Sequence, residues 1–146
     1  MKTRLFAACS LGAALVLTAA ATGAIAADAN RETVTPAYSY PISNVPGKSL
    51  TALIVTYAPD GKTPAHRHGR SFIAAYVLEG SIRSQVDNGE VKVYKAGESW
   101  TEKPGARHRL SENASATEPA KIMAVFVAKT GAKDLFTLDS DLAKKK

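Results

Sequence analysis

Cysteine is almost missing from this sequence: of 146 residues, only Cys9 is one. It falls in an N-terminal segment that reads as removable. The remainder then has no thiol for a disulfide, a thiolate-held metal or a cysteine nucleophile, and an exported domain of this kind must be stabilised by its core alone. A long hydrophobic run is missing as well. The apolar stretch through Leu15, Val16 and Leu17 is broken by Thr18, Thr22 and Gly23, and it falls short of the roughly 20 residues of a membrane-spanning helix. Strong charge of one sign is the third absence. The net charge of +6 becomes +4 without Lys2 and Arg4, and the basic residues cluster only at Lys144-Lys145-Lys146, which reads as a solvated tail. No aromatic residues interleave with a basic patch, so nucleic-acid binding is not expected.

What is present at the start is the order of a secretory signal peptide. Lys2 and Arg4 come first, then the short apolar run, then Ala24-Ile25-Ala26 with small residues before the cut. Phe6-Ala7-Ala8-Cys9 precedes the apolar run where a lipoprotein box would follow it, so lipidation is not expected. The reading is a signal peptide over 1–26, an N-terminal arm over 27–48, a β-barrel over 49–130 and a C-terminal tail over 131–146. The exported protein would be periplasmic or secreted, with no membrane attachment after cleavage. About 120 residues remain, enough for one domain burying somewhat under 70% of its unfolded surface.

From Leu50 onward, short apolar runs alternate with turn residues: Leu50 to Tyr57, Phe72 to Leu78, Ser81 to Val86, Val91 to Tyr94, Glu98 to Glu102, His108 to Ser111 and Ile122 to Ala128. These read as strands. Asp60-Gly61, Asp87-Asn88-Gly89 and Lys103-Pro104-Gly105 supply the turns. In the arm, Val34, Tyr38 and Tyr40 are the few candidates for an edge strand. A helical period appears only weakly, over Lys133 to Leu142. Many short strands at close spacing predict an all-β barrel or sandwich in a single domain.

The three histidines, His66, His68 and His108, fall at the ends of predicted strands. Two residues apart in an extended strand, His66 and His68 project from one face and can share a metal. His108 reaches the same point only if its strand lies beside theirs, which closed antiparallel sheets allow. Neutral imidazoles suit Zn, Cu, Fe and Ni, and three on one side of an ion leave the other side open. Taken singly, His66 and His68 read better as exposed residues at a strand start, and His108 as a satisfied core histidine, than as ligands.

The surrounding residues weigh against that alternative. Gly61-Lys62-Thr63-Pro64-Ala65-His66-Arg67-His68 followed by Tyr76-Val77-Leu78-Glu79-Gly80 resembles the first motif of the cupin superfamily, and Gly97 with Pro104-Gly105-Ala106-Arg107-His108 and Asn113 resembles the second. The resemblance, to a small single-domain cupin of the cupin 2 type, spans roughly Leu50 to Val127. It implies a double-stranded β-helix or jelly-roll barrel with one divalent metal ion (Fe, Mn, Zn or Ni) held by His66, His68 and His108. Where the family usually has a metal-binding glutamate this sequence has Ile73, beside Phe72, and neither can ligate. Glu102 is the candidate replacement: it shares a strand face with Trp100 and leads into the turn carrying His108. Its alternative is a surface strand residue; the expectation is a carboxylate pointing inward.

The expected function is that of an exported metal-dependent enzyme on a small organic molecule, dioxygenase-like or isomerase/lyase-like, with Glu102 or Tyr76 as acid or base. Gln85 and Trp100 are further cavity candidates, and for Trp100 core packing is the preferred role. The alternative is a non-catalytic module that binds or senses a small ligand or metal. Metal, substrate and reaction stay open, as does a homodimer.

Overall fold

Ile122, Ala124, Phe126 and Ala128 alternate with Lys121, Met123, Val125 and Val127, and this period of two builds strand β10 (Ala120–Lys129), buried on one side throughout. The same alternation sets β2 (Lys48–Tyr57) and β5 (Phe72–Glu79). The computed structural model describes residues 30–133 and 135–144. The expected signal segment lies outside them. One five-stranded sheet has the order β1-β2-β10-β5-β8, with β1 spanning Glu32–Pro41 and β8 Ser99–Glu102. A second sheet runs β11-β4-β9-β6-β7, with β3 also paired to β9. Its strands are β3 (Lys62–Thr63), β4 (His66–Arg67), β6 (Ser81–Val86), β7 (Lys92–Lys95), β9 (Arg107–Asn113) and β11 (Thr137–Leu138). All pairings are antiparallel. The fold is the all-β double-stranded β-helix expected from the sequence.

The lead-in is the edge strand for which Val34, Tyr38 and Tyr40 are the candidates: β1 pairs with β2 from Glu32↔Tyr57 to Pro41↔Ser49 at the edge of the first sheet. The tail departs from the sequence reading, with no continuous helix over its described residues. Instead β11 pairs with β4 through Thr137↔Arg67 and Leu138↔His66, and only the five residues of α1 (Asp139–Ala143), none of them buried, are helical. A helix that short has no tertiary face to stabilise it. The tail is held by Asp139, whose backbone N–H donates to the Ala65 carbonyl at 3.0 Å and whose carboxylate pairs with Arg67 and Arg107.

The core lies between the sheets in two clusters. Val55, Tyr57, Ala75, Val77, Ile82, Trp100, Ala120 and Ile122 form one. Ile73, Ala124 and Phe126 form the other, with Leu53 and, from the tail, Leu135 packed against them. Between the clusters the barrel stays open as a cavity of about 330 Å³.

Candidate metal centre

The wall of that cavity brings the three histidines together. His66 and His108 face each other as register partners on β4 and β9, and His68 follows β4 directly. All three are buried, and one ring nitrogen from each lies within 4.8 Å of the others. The loops on either side are tied to one another: Gly105 N–H donates to the Gly69 carbonyl at 2.8 Å, and Arg67 donates to the Gly105 carbonyl at 2.7 Å.

Two rings are oriented by backbone carbonyls. His66 Nδ1 donates to the Pro64 carbonyl at 2.7 Å and His68 Nδ1 to the Leu135 carbonyl at 2.9 Å. A carbonyl only accepts, so Nδ1 carries the proton in each ring and Nε2 carries the lone pair. The two Nε2 atoms are 3.1 Å apart. Two neutral rings therefore aim lone pairs at each other, an arrangement that a cation between them relieves. Burial disfavours the proton as that cation. It lowers the His66 pKa from 6.5 to about 4, with the neighbouring His68 and His108 adding to the effect, and it lowers that of His68 despite the nearby Glu102.

Glu102 completes the cluster. It is 2% exposed, and β8 pairs with β5 so that Glu102 sits directly opposite Ile73. Directly paired residues share a sheet face, so the carboxylate enters from the neighbouring strand at the very level where the family's glutamate would stand. Its Oε1 accepts from His108 Nδ1 at 3.1 Å and from Trp100 Nε1 at 3.2 Å. Its Oε2 is 3.6 Å from His68 Nε2 and is the buried side-chain oxygen without a hydrogen-bond partner among the described residues. Burial pushes this carboxyl up, but the His108 hydrogen bond, with the neighbouring His68 and the Trp100 hydrogen bond, outweighs it and holds the carboxyl below its usual range. An unpartnered buried carboxylate oxygen beside opposed imidazole lone pairs is a donor set of three nitrogens and one oxygen, and it fits a divalent ion. His108 hydrogen-bonds Ser84 Oγ through Nε2 at 2.9 Å, which fixes its ring; ligation through Nδ1 would need the ring proton on Nε2, where it donates to Ser84 Oγ.

The other candidates lie apart. Tyr76 is 43% exposed on the outer face of β5, because residues 73, 75 and 77 take the inward positions. It is corrected here from cavity residue to surface residue. Gln85 likewise faces away, donating to the Gly89 carbonyl at 2.9 Å in the exposed hairpin. Trp100 both packs in the core and lines the cavity. Glu79 faces solvent and pairs with Lys121. Sequence reasoning missed Phe136, whose ring lies 4.7 Å from that of His66 and lines the cavity. A lone aromatic in a polar tail was its only signal. It also missed Glu32, Tyr57, Thr63 and Ser111, which line the cavity next to the histidines.

Known proteins agree with this architecture. The profile of the family described as "Cupin domain" matches residues 53–126. Among solved structures, oxalate oxidase in complex with the substrate analogue glycolate is similar with a TM-score of 0.61 and 20% identity, covering 77% of this chain and 57% of its own. This chain therefore spans little over half of that enzyme. An uncharacterised conserved protein with a double-stranded β-helix domain from Klebsiella pneumoniae gives a TM-score of 0.59 at 19% identity, covering 76% of this chain and 86% of its own. The protein TT1209 from Thermus thermophilus gives 0.55 at 21%, over 69% and 87%. Comparison with curated protein sequences gives no match. These likenesses carry the fold, and the profile covers all three histidines and Glu102: the chain belongs to the cupin domain family.

Proposed function

We propose that the protein is an exported metal-dependent enzyme acting on a small organic molecule bound in the barrel, with His66, His68, His108 and Glu102 holding one divalent ion. The observation that carries this reading is Glu102 Oε2, buried, unpartnered and 3.6 Å from His68 Nε2. A buried charge with an idle lone pair costs stability, and a cation accounts for its retention. Such an ion supplies Lewis-acid polarisation of a bound oxygen or, as Fe, reaction with O₂ in the manner of a dioxygenase.

The chain's own residues supply the rest. The Pro64 and Leu135 carbonyls orient His66 and His68, and Ser84 orients His108. Such outer partners fix ring tautomer and basicity. The Trp100 indole N–H holds Glu102 Oε1 and so aims Oε2. Leu53, Val55, Ile73, Ile122, Phe126 and Phe136 make the remaining wall apolar, which excludes water and strengthens the electrostatics within.

A second reading, a non-catalytic binding module, is favoured by one observation. Tyr76 faces outward, which leaves Glu102 as the group near the histidines able to move a proton. Turnover separates the two. Metal-loaded protein offered O₂ and a panel of small phenols, diketones and sugars should consume one of them. Binding that raises the melting temperature without product supports the module, and a protein that takes up no divalent metal overturns both.

A further inference from the structure

Beside the histidines, the same cavity holds a chain of hydroxyls that ends on a carboxylate. Thr63 Oγ1 donates to Glu32 Oε2. Thr63 Oγ1 is 2.8 Å from Tyr57 OH, and Tyr57 OH is 2.9 Å from Ser111 Oγ. Each hydroxyl has one proton to give. Thr63 spends its proton on Glu32, so Tyr57 donates to Thr63, and Ser111 must donate to Tyr57. The carboxylate thus fixes the direction of every bond, and Ser111, its own proton engaged, is left at the cavity end as an acceptor. Burial reinforces this by pushing the Tyr57 phenol up to about 12, so it stays protonated. No other side chain hydrogen-bonds Ser111 among the described residues.

Strand geometry places this group in line with the metal site. Along β9, Ser111 lies three residues from His108, and three residues in a regular strand would face opposite ways. A register shift between Gln85 and Val86 removes the conflict: Gln85 pairs with Leu110 and Val86 with His108, so Arg109 bulges out and His108 and Ser111 both face inward. On the partner side, Thr63 and His66 are also three apart, and the break between β3 and β4 does the same for them. The two polar stations therefore share one wall of the cavity of about 330 Å³, which has room for a single substituted ring. Between and around them the lining is largely apolar, and among the described residues that line it the acidic ones are Glu32 and Glu102, with no lysine or arginine.

We infer that Ser111, polarised by Tyr57, Thr63 and Glu32, is a specificity site accepting a hydrogen bond from a hydroxyl of the substrate. The substrate is then a small molecule with an apolar, ring-sized body, a metal-binding oxygen end and a hydroxyl at the other end, and with no second carboxylate. This rests on the metal site proposed above. A free carboxylate at the Ser111 end would meet an acceptor hydroxyl with the Glu32 carboxylate behind it, which disfavours substrates that place one there.

Three matched catechols test it on the Zn(II)-loaded protein, with dissociation constants read by calorimetry: 3,4-dihydroxybenzyl alcohol, 4-methylcatechol and 3,4-dihydroxybenzoate. The alcohol should bind roughly five- to tenfold more tightly than the methyl compound, the worth of one hydrogen bond, and the benzoate most weakly. Ser111→Ala should abolish the difference between alcohol and methyl compound while bound Zn(II) stays at the wild-type level. Tyr57→Phe should do something a merely structural change would not. It frees the Ser111 proton, so the benzoate gains affinity relative to the alcohol. Melting curves report whether each variant folds, and Glu32→Gln, at a half-buried position on the mostly exposed edge strand, serves if either does not: without the fixed direction, the alcohol's advantage over the benzoate should narrow. Benzoate binding tightest to the wild type, an alcohol preference untouched by Ser111→Ala, or binding of none of the three overturns the inference. Absence of bound Zn(II) in the wild type, measured first, instead overturns the metal reading.

Discussion

Glu102 shows how one residue can be readable in type and unreadable in partnership. Its spacing from Trp100 placed both on one strand face, and both are inside. That it stands opposite Ile73, so that β8 presents a carboxylate at the level where β5 has none, is a property of strand pairing and is written nowhere in the local sequence. Glu102→Gln keeps the shape and removes the charge. Metal affinity, measured by competition with a chelating dye, should fall tenfold to about a hundredfold, with His66→Ala, His68→Ala and His108→Ala each losing most of the ion. An unchanged affinity in Glu102→Gln would leave a bare three-histidine site. The histidines also predict a pH dependence for the metal-free protein. Between pH 6.5 and about 4 the unfolded chain protonates at His66 while the folded one does not, so the unfolded state binds more protons and stability falls as pH falls through that window. His68 acts in the same direction. Glu102, held low, adds its own loss at the acid end, below the ordinary carboxylate range. Urea midpoints at pH 7.5, 5.5 and 4.5 should descend in that order; a flat series would mean that these rings are solvated.

At the scale of elements, the strands were legible because each carries its own alternation and its own turn residues. β6 begins and ends where the sequence placed it, and β2, β5, β9 and β10 gain a residue or more at their ends. The turn after β5 illustrates why. Gly80 has φ +69, and a Cβ there would lie 2.6 Å from the Pro119 carbonyl oxygen and 3.1 Å from Ala120 Cα. Gly80→Ala should cost roughly 1–3 kcal/mol through backbone strain, and more through the contact with rigid backbone, read as a lowered urea midpoint at unchanged slope. The tail was illegible, and the arm legible only as an edge-strand candidate through Val34, Tyr38 and Tyr40, for the complementary reason. β1 is exposed along most of its length and β11 has two residues, so neither carries a hydrophobic period, yet both reach the site through Glu32, Leu135 and Phe136. Pairing with a neighbour, not propensity, makes them strands. Asp139→Asn weakens the pairing with Arg67 and Arg107 that holds the tail. It should speed amide exchange at Thr137 and Leu138 while β2, β5 and β10 stay protected.

The whole molecule carries expectations about place as well as shape. Among the described residues no helix is long and apolar enough to cross a membrane, and the expected exported chain begins at Ala27. Intact-mass measurement on protein from its native envelope checks this, and a mass that includes residues 1–26 would overturn it. Such a chain has no cysteine, so reducing agents should leave its melting temperature unchanged. Its two sheets nevertheless meet at one polar point. His66 and His108 belong to one sheet and Glu102 to the other, so an ion gripped by all of them is a staple driven through both layers of the barrel. Chelators should then do to this protein what reductants do to disulfide-bonded ones. Free metal at about a hundred times its dissociation constant should restore roughly 2.7 kcal/mol. The supply of metal where the protein folds would set how long it lasts there.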